Sequence, residues 1–111
     1  KLYQAKLDQH NAQLKYQQGK EDYLLMLDKA INRYKEYKKT LKANEEALRL
    51  AKESFQYSQE LFTSGQISVA DLNDAELQLT NAKISKEVTM LNLNTTLAVI
   101  ERLTSREEPD G

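Results

Sequence analysis

The side chains able to do chemistry in this sequence are few, and their spacing narrows what they can do. Asp71 and Asp74 stand three residues apart, so on a helix they share one face. Ser68 precedes Asp71 by three residues, the spacing at which a serine and an acidic residue cap a helix start. Asp71 therefore reads first as a capping residue, and Asp74 as a solvated neighbour. His10 is the single histidine, with no cysteine in the chain and no set of ligands at metal spacing around it. It occupies an apolar-stripe position and reads as a packing residue. The run KEYKKTLK (Lys35 to Lys42) is basic, but Glu36, Glu45 and Glu46 dilute it. It reads as a solvated helix face, not as a phosphate or lipid site. No Gly-rich phosphate loop and no nucleophile–base pair occurs. The expectation is a protein that is not an enzyme and carries no cofactor or metal.

The elements that must hold these residues are long helices. Among 111 residues there are three glycines and one proline, and Pro109 and Gly111 lie in the tail. Charged residues make up 30% and aromatic residues 7%, with Lys, Glu, Ala, Leu and Gln dominant, a coiled-coil composition. The net charge is −1 with both signs interspersed, which gives no reason to expect a nucleic-acid partner. No apolar run approaches the roughly 20 residues that a membrane-spanning helix needs. The sequence opens inside a helical pattern, KLYQAKL, without a signal peptide. It reads as a piece of a longer protein.

A heptad series runs through Leu27, Tyr34, Leu41, Leu48, Phe55 and Phe62. Three residues behind its first five members come Ala30, Tyr37, Asn44, Ala51 and Ser58, mostly small. Together they make a seam of alternating three- and four-residue spacings, which must bury against a partner helix. Upstream, Tyr3, Leu7, His10 and Leu14 form a shorter stripe in another phase. The intervening QQGKED (Gln17 to Asp22) has no apolar residue and carries Gly19. This predicts a phase shift, with room for a bend, inside one helix from about 2 to 63. After a break, Leu72, Ala75, Leu79 and Ala82 resume the three-four spacing. Val88, Leu91, Leu93, Leu97, Ile100 and Leu103 then widen the apolar face. The second arm is expected over about 68–104, with 106–111 as a frayed tail.

The break itself is LFTSGQISVADLNDAE (Leu61 to Glu76). Gly65 suits the position just past a helix end, where the backbone turns left-handed and glycine alone does so cheaply. Ser68 suits the cap of the next helix. A tip turn at 64–67 forces the two helices antiparallel. Folding there sets opposite each other residues whose numbers add to about 130. Phe55 then faces Ala75, Leu48 faces Ala82, Leu72 faces Ser58 and Leu79 faces Ala51. A large residue meets a small one each time, as interdigitated helices require. The predicted fold is all-α: an antiparallel helical hairpin, or coiled coil, with unequal arms. Residues 1 to about 26 extend past the second arm and have no partner in the chain. A thin two-helix hairpin cannot enclose a core, so a homo-oligomer or packing on further parts of a parent protein is expected.

The segment YSQELFTSGQISVADLNDAELQLTNA (Tyr57 to Ala82) resembles the helix–tip–helix stretch of the outer membrane efflux protein family, the TolC-like channels. The positions that carry the likeness are Gly65, Ser68, Asp71, Leu72 and Ala75. The stretch NLNTTLAVIERLTS (Asn92 to Ser105) is similar to the close of the family's second helix. The resemblance covers about residues 47–105. It implies a homotrimeric export channel of the bacterial outer membrane, with this segment in the wall of its periplasmic helical tunnel. One helix of each repeat there spans the wall, and its partner is built from two shorter helices stacked end to end. It further implies that Ser64, Gly65, Gln66, Ile67 and Ser68 meet a periplasmic adaptor protein, and that Asp71 and Asp74 line the tunnel entrance. Some members carry a tyrosine and an arginine where this chain has Phe62 and Ile67, so a polar gate link at those positions is not expected. Two other readings share parts of the pattern. A periplasmic adaptor's own hairpin has a similar turn but arms of near-equal length between β segments. A generic coiled-coil scaffold has the seam but no reason for Gly, Ser and two Asp in this order.

Overall fold

The computed structural model describes residues 1–107, with side chains through 105. Two helices account for nearly all of it: α1 (Leu2–Thr63, 62 residues) and α2 (Val69–Glu107, 39 residues). They fold back on each other as an antiparallel hairpin with unequal arms. The principal extents are 93 × 27 × 15 Å, and the radius of gyration is 25.8 Å. A globular chain of this length has a radius near 13 Å, so this molecule is a rod without an enclosed interior. At 1.5 Å per residue α1 alone is about 93 Å long, which accounts for the whole long dimension. It passes Gly19 as unbroken α-helix. The long aliphatic and amide side chains on both sides are good helix formers, and one glycine costs them only about 1 kcal/mol.

The seam is where the heptads place it through most of its length. On α1, Leu27, Ala30, Tyr34, Tyr37, Leu41, Asn44, Leu48, Ala51, Phe55 and Ser58 are all withdrawn from solvent, Ala30 and Leu48 most deeply. On α2, Leu72, Ala75, Leu79 and Ala82 are likewise withdrawn. Cross-helix hydrogen bonds give the register directly. Asn44 Nδ2 donates to Thr89 Oγ1 at 2.6 Å and to the Ser85 carbonyl at 3.2 Å. The Tyr23 hydroxyl donates to the Leu103 carbonyl. The numbers of these partners add to values close to 130. A polar side chain inside a seam makes any slipped register leave its amide unpaired, so Asn44 selects this one.

Three expectations need correction. Phe62 is exposed, and Leu61 is half-buried in its place. In register, Phe62 would face residue 68, but Ser68 is a cap and α2 offers no wall there. Beyond Ala82 the seam keeps its strict spacing through Lys86, Thr89, Leu93, Thr96, Ile100 and Leu103. Val88, Leu91 and Leu97, expected on the buried face, stand exposed. Thr89 and Thr96 are buried instead, and the Thr96 hydroxyl donates to the Asn92 carbonyl at 2.8 Å. α2 also runs three residues past its expected end. Arg106 and Glu107 are therefore helical rather than frayed, and 108–111 lie outside the described residues. At the other end every residue from Lys1 to Asp22 is exposed.

Candidate functional site

The tip turn is where chain direction, capping and charge converge. Its first half ends α1. The Gly65 N–H donates to the Phe62 carbonyl at 3.0 Å, and the Gln66 N–H reaches back to the Leu61 carbonyl at 2.8 Å. These two bonds define a Schellman closure. It requires a left-handed residue at Gly65, where φ is +76°. Among the described residues no other has a positive φ. Thr63 Oγ1 donates to the Gln59 carbonyl at 2.9 Å and Ser64 Oγ to the Leu61 carbonyl at 3.0 Å. The hydroxyls at the end of α1 are thus folded onto their own helix.

The second half starts α2. The Asp71 N–H donates to Ser68 Oγ at 3.2 Å, and the Ser68 N–H donates to Asp71 Oδ2 at 3.4 Å. This reciprocal pair is a capping box. It also sets a carboxylate against the positive end of the helix dipole. Asp74, one turn on, is exposed. Ser64, Gly65, Gln66 and Ser68 are exposed at the apex, and Ile67 is half-buried. Two caps within five residues leave the turn little freedom, so the apex is a fixed shape and not a floppy loop.

Charge separates along the rod in a way that overall composition conceals. From Glu53 to Ala82 the sequence contains Glu53, Glu60, Asp71, Asp74 and Glu76 and no lysine, arginine or histidine. Folded back, residues 53 to 77 form the tip end of the hairpin, where every charged side chain is acidic, while Lys52 and Arg49 of α1 lie level with residues 78 to 82 of α2. Lysines and arginines concentrate on the rest of α1. The tip can therefore offer a rigid anionic end to a partner. Beside it lies an open hollow of about 500 Å³ lined by Gln56, Gln59, Glu60, Thr63 and Ser64.

The remaining candidate residues are dispersed. His10 is exposed in the overhang, roughly 80 Å along α1 from the tip at 1.5 Å per residue. Lys38 lies over the Tyr34 ring, 5.6 Å from its centre, so it covers apolar surface and keeps its charge in water. Arg49 pairs with Glu46 and Glu53 on the outer face of α1. The Arg49 guanidinium, by hydrogen bond and by charge, holds the Glu46 carboxyl below the usual glutamate range. Among the described residues no group of His, Cys, Asp or Glu is arranged to hold a metal ion, and no helix is long and apolar enough to cross a membrane. Set beside known proteins, the chain matches no family model, no curated protein and no solved structure.

Proposed function

We propose that the chain is a wall segment of a TolC-like export conduit, in which α1 spans the wall of a periplasmic helical tunnel and the tip docks an adaptor protein. The parent would be a homotrimeric channel of the bacterial outer membrane, with this segment in the periplasm. What carries the reading is the inequality of the arms combined with the tip. A 62-residue helix has a 39-residue partner, and the tight, doubly capped turn lies at the end where both are present. In a tunnel repeat, a second short helix would stack on the end of α2 and cover residues 1–22. The tip would meet the adaptor end-on. Its anionic surface suits a partner hairpin with a basic end, and the carboxylates of Asp71 and Asp74 would favour cations at the tunnel mouth.

The chain has no cysteine, which makes site-directed photo-crosslinking direct. Ser64→Cys and Leu14→Cys would each carry a benzophenone label and be mixed with a purified adaptor hairpin. Labelling from the tip, declining as salt is raised and absent from the overhang, is the expected result. Equal labelling from both positions, or none from either, would rule out tip docking.

A further inference from the structure

We infer that the flank of the seam around Arg33 is a binding groove for a single-chain amphipathic anion of the medium-chain carboxylate class. The groove is formed within one chain, so it holds whether or not the export reading does.

Two hollows of about 210 Å³ each lie end to end on this flank and share Ala30, Arg33 and Val99. Together they reach the lower range of small-molecule sites, which begins at about 300 Å³. Their chemistry is divided along the rod. On the side toward the tip, Arg33, Tyr37, Asn92 and Thr95 stand around the first hollow. On the side toward the overhang, Met26, Val99 and Leu103 wall the second, with exposed Lys29 beside them.

Among the described residues, the side chains of Arg33, Tyr37, Asn92 and Thr95 take no hydrogen-bond or ion-pair partner from the chain. Elsewhere on α1 such groups are engaged. Asn44 bonds Thr89 and Ser85 across the seam, and Arg49 is held by Glu46 and Glu53. No carboxylate is among the residues lining either hollow, so Arg33 and Lys29 face the groove without a counter-charge.

This set of donors matches a carboxylate. A guanidinium fork bonds both carboxylate oxygens at once. The Tyr37 and Thr95 hydroxyls and the Asn92 amide can donate beside it. An aliphatic tail laid toward Leu103 would cover Val99 and Met26, the latter 56% exposed. Met26 and Tyr37 are about 16 Å apart along α1 at 1.5 Å per residue, room for an extended decanoate. The opposite flank is less suited. Its hollow, among Lys38, Leu41 and Lys42, is also lined by Glu45, and Lys38 lies over the Tyr34 ring. Charge thus directs an anion to the Arg33 side.

The test is calorimetric titration of the full 111-residue chain with decanoate below its micellar range. One-to-one binding with a dissociation constant of about 1 mM is expected, because the groove is open to water. Arg33 is exposed and glutamine is a good helix former, so Arg33→Gln should keep the helix signal in circular dichroism. It should weaken binding by about tenfold or more, the effect of losing a charged hydrogen bond. Decyltrimethylammonium, with the same tail and the opposite charge, should bind at least as poorly as decanoate binds Arg33→Gln. Lys42→Gln, on the opposite flank, should bind decanoate as the parent chain does. Four results would each overturn the site: no saturable binding at several times the expected concentration, equal affinity for the cation, undiminished binding by Arg33→Gln, or an equal loss from Lys42→Gln.

Discussion

The two ends of α1 are built from the same kinds of residue and have different fates. Residues 1–22 hold Leu2, Tyr3, Leu7, Leu14 and Tyr16, all exposed. Residues 23–61 hold leucines and tyrosines in similar density, and seven of those eleven are withdrawn from solvent. Helix propensity does not distinguish the two stretches, for both are helical. The difference lies in the partner. α2 reaches back only as far as Tyr23, whose hydroxyl meets the Leu103 carbonyl. Apolar side chains beyond that point have nothing to bury against. Burial in this molecule is thus a property of the pair of helices, and the stability of each part of α1 should follow it.

The largest expected contrast comes from truncating one leucine at each end. Leu48 is 8% exposed, and Leu48→Ala should destabilise the hairpin by about 2–3 kcal/mol, the low end for a buried leucine because the rod is thin. Leu14→Ala should change stability by less than about 0.5 kcal/mol. Urea titration followed by circular dichroism measures both; equal losses would mean that the overhang is buried in solution by another copy or another segment.

The two mid-chain glycines give a smaller contrast, of opposite sign. Gly65 sits at φ +76°, and an alanine there is strained whatever the space around it. Gly65→Ala should cost roughly 1–2 kcal/mol. Gly19 lies inside α1 with nothing within 4 Å of an added Cβ. Gly19→Ala should raise stability by roughly 0.5–1 kcal/mol. Thermal melts of the two variants, shifted to opposite sides of the parent, are the expected outcome.

The smallest effect is electrostatic. Glu46 gains a charged hydrogen bond from Arg49, which lowers its pKa in the folded chain. Its contribution is therefore present above the usual glutamate range and is lost as pH falls through the lowered value. Both groups are fully in water, so the energy is slight. Carbon-detected NMR titration should find Glu46 protonating below the usual glutamate range, and Arg49→Ala should return it toward that range.

Much of this fold was readable from residue order. The three-four spacing from Leu27 to Ser58, the stop at Gly65 and the start at Ser68 each have a local physical cause, and local causes leave marks in sequence. The tip residues Ser64 to Ser68 were legible for the same reason. The face of α2 beyond Ala82 was not. There the apolar residues Val88, Leu91 and Leu97 mark the outer stripe, while Thr89 and Thr96 take the seam. Hydrophobicity alone points to the wrong face, because Asn44 supplies Thr89 with a polar partner and Thr96 bonds its own helix. Extending the spacing strictly through Lys86 would have found it. The acidic tip was concealed by an overall charge near zero, although Glu53 to Ala82 is a continuous run without a basic residue.

Residue order by itself determined that the chain is helical, where it doubles back and in what register, since propensity, capping and heptad spacing act over a few residues at a time. Tertiary structure decided which of the competing apolar faces is buried, that Phe62 yields to Leu61 at the apex, and that the first 22 residues are left bare. Those outcomes depend on where the partner helix begins and ends, and burial requires two surfaces, whereas a sequence pattern describes only one.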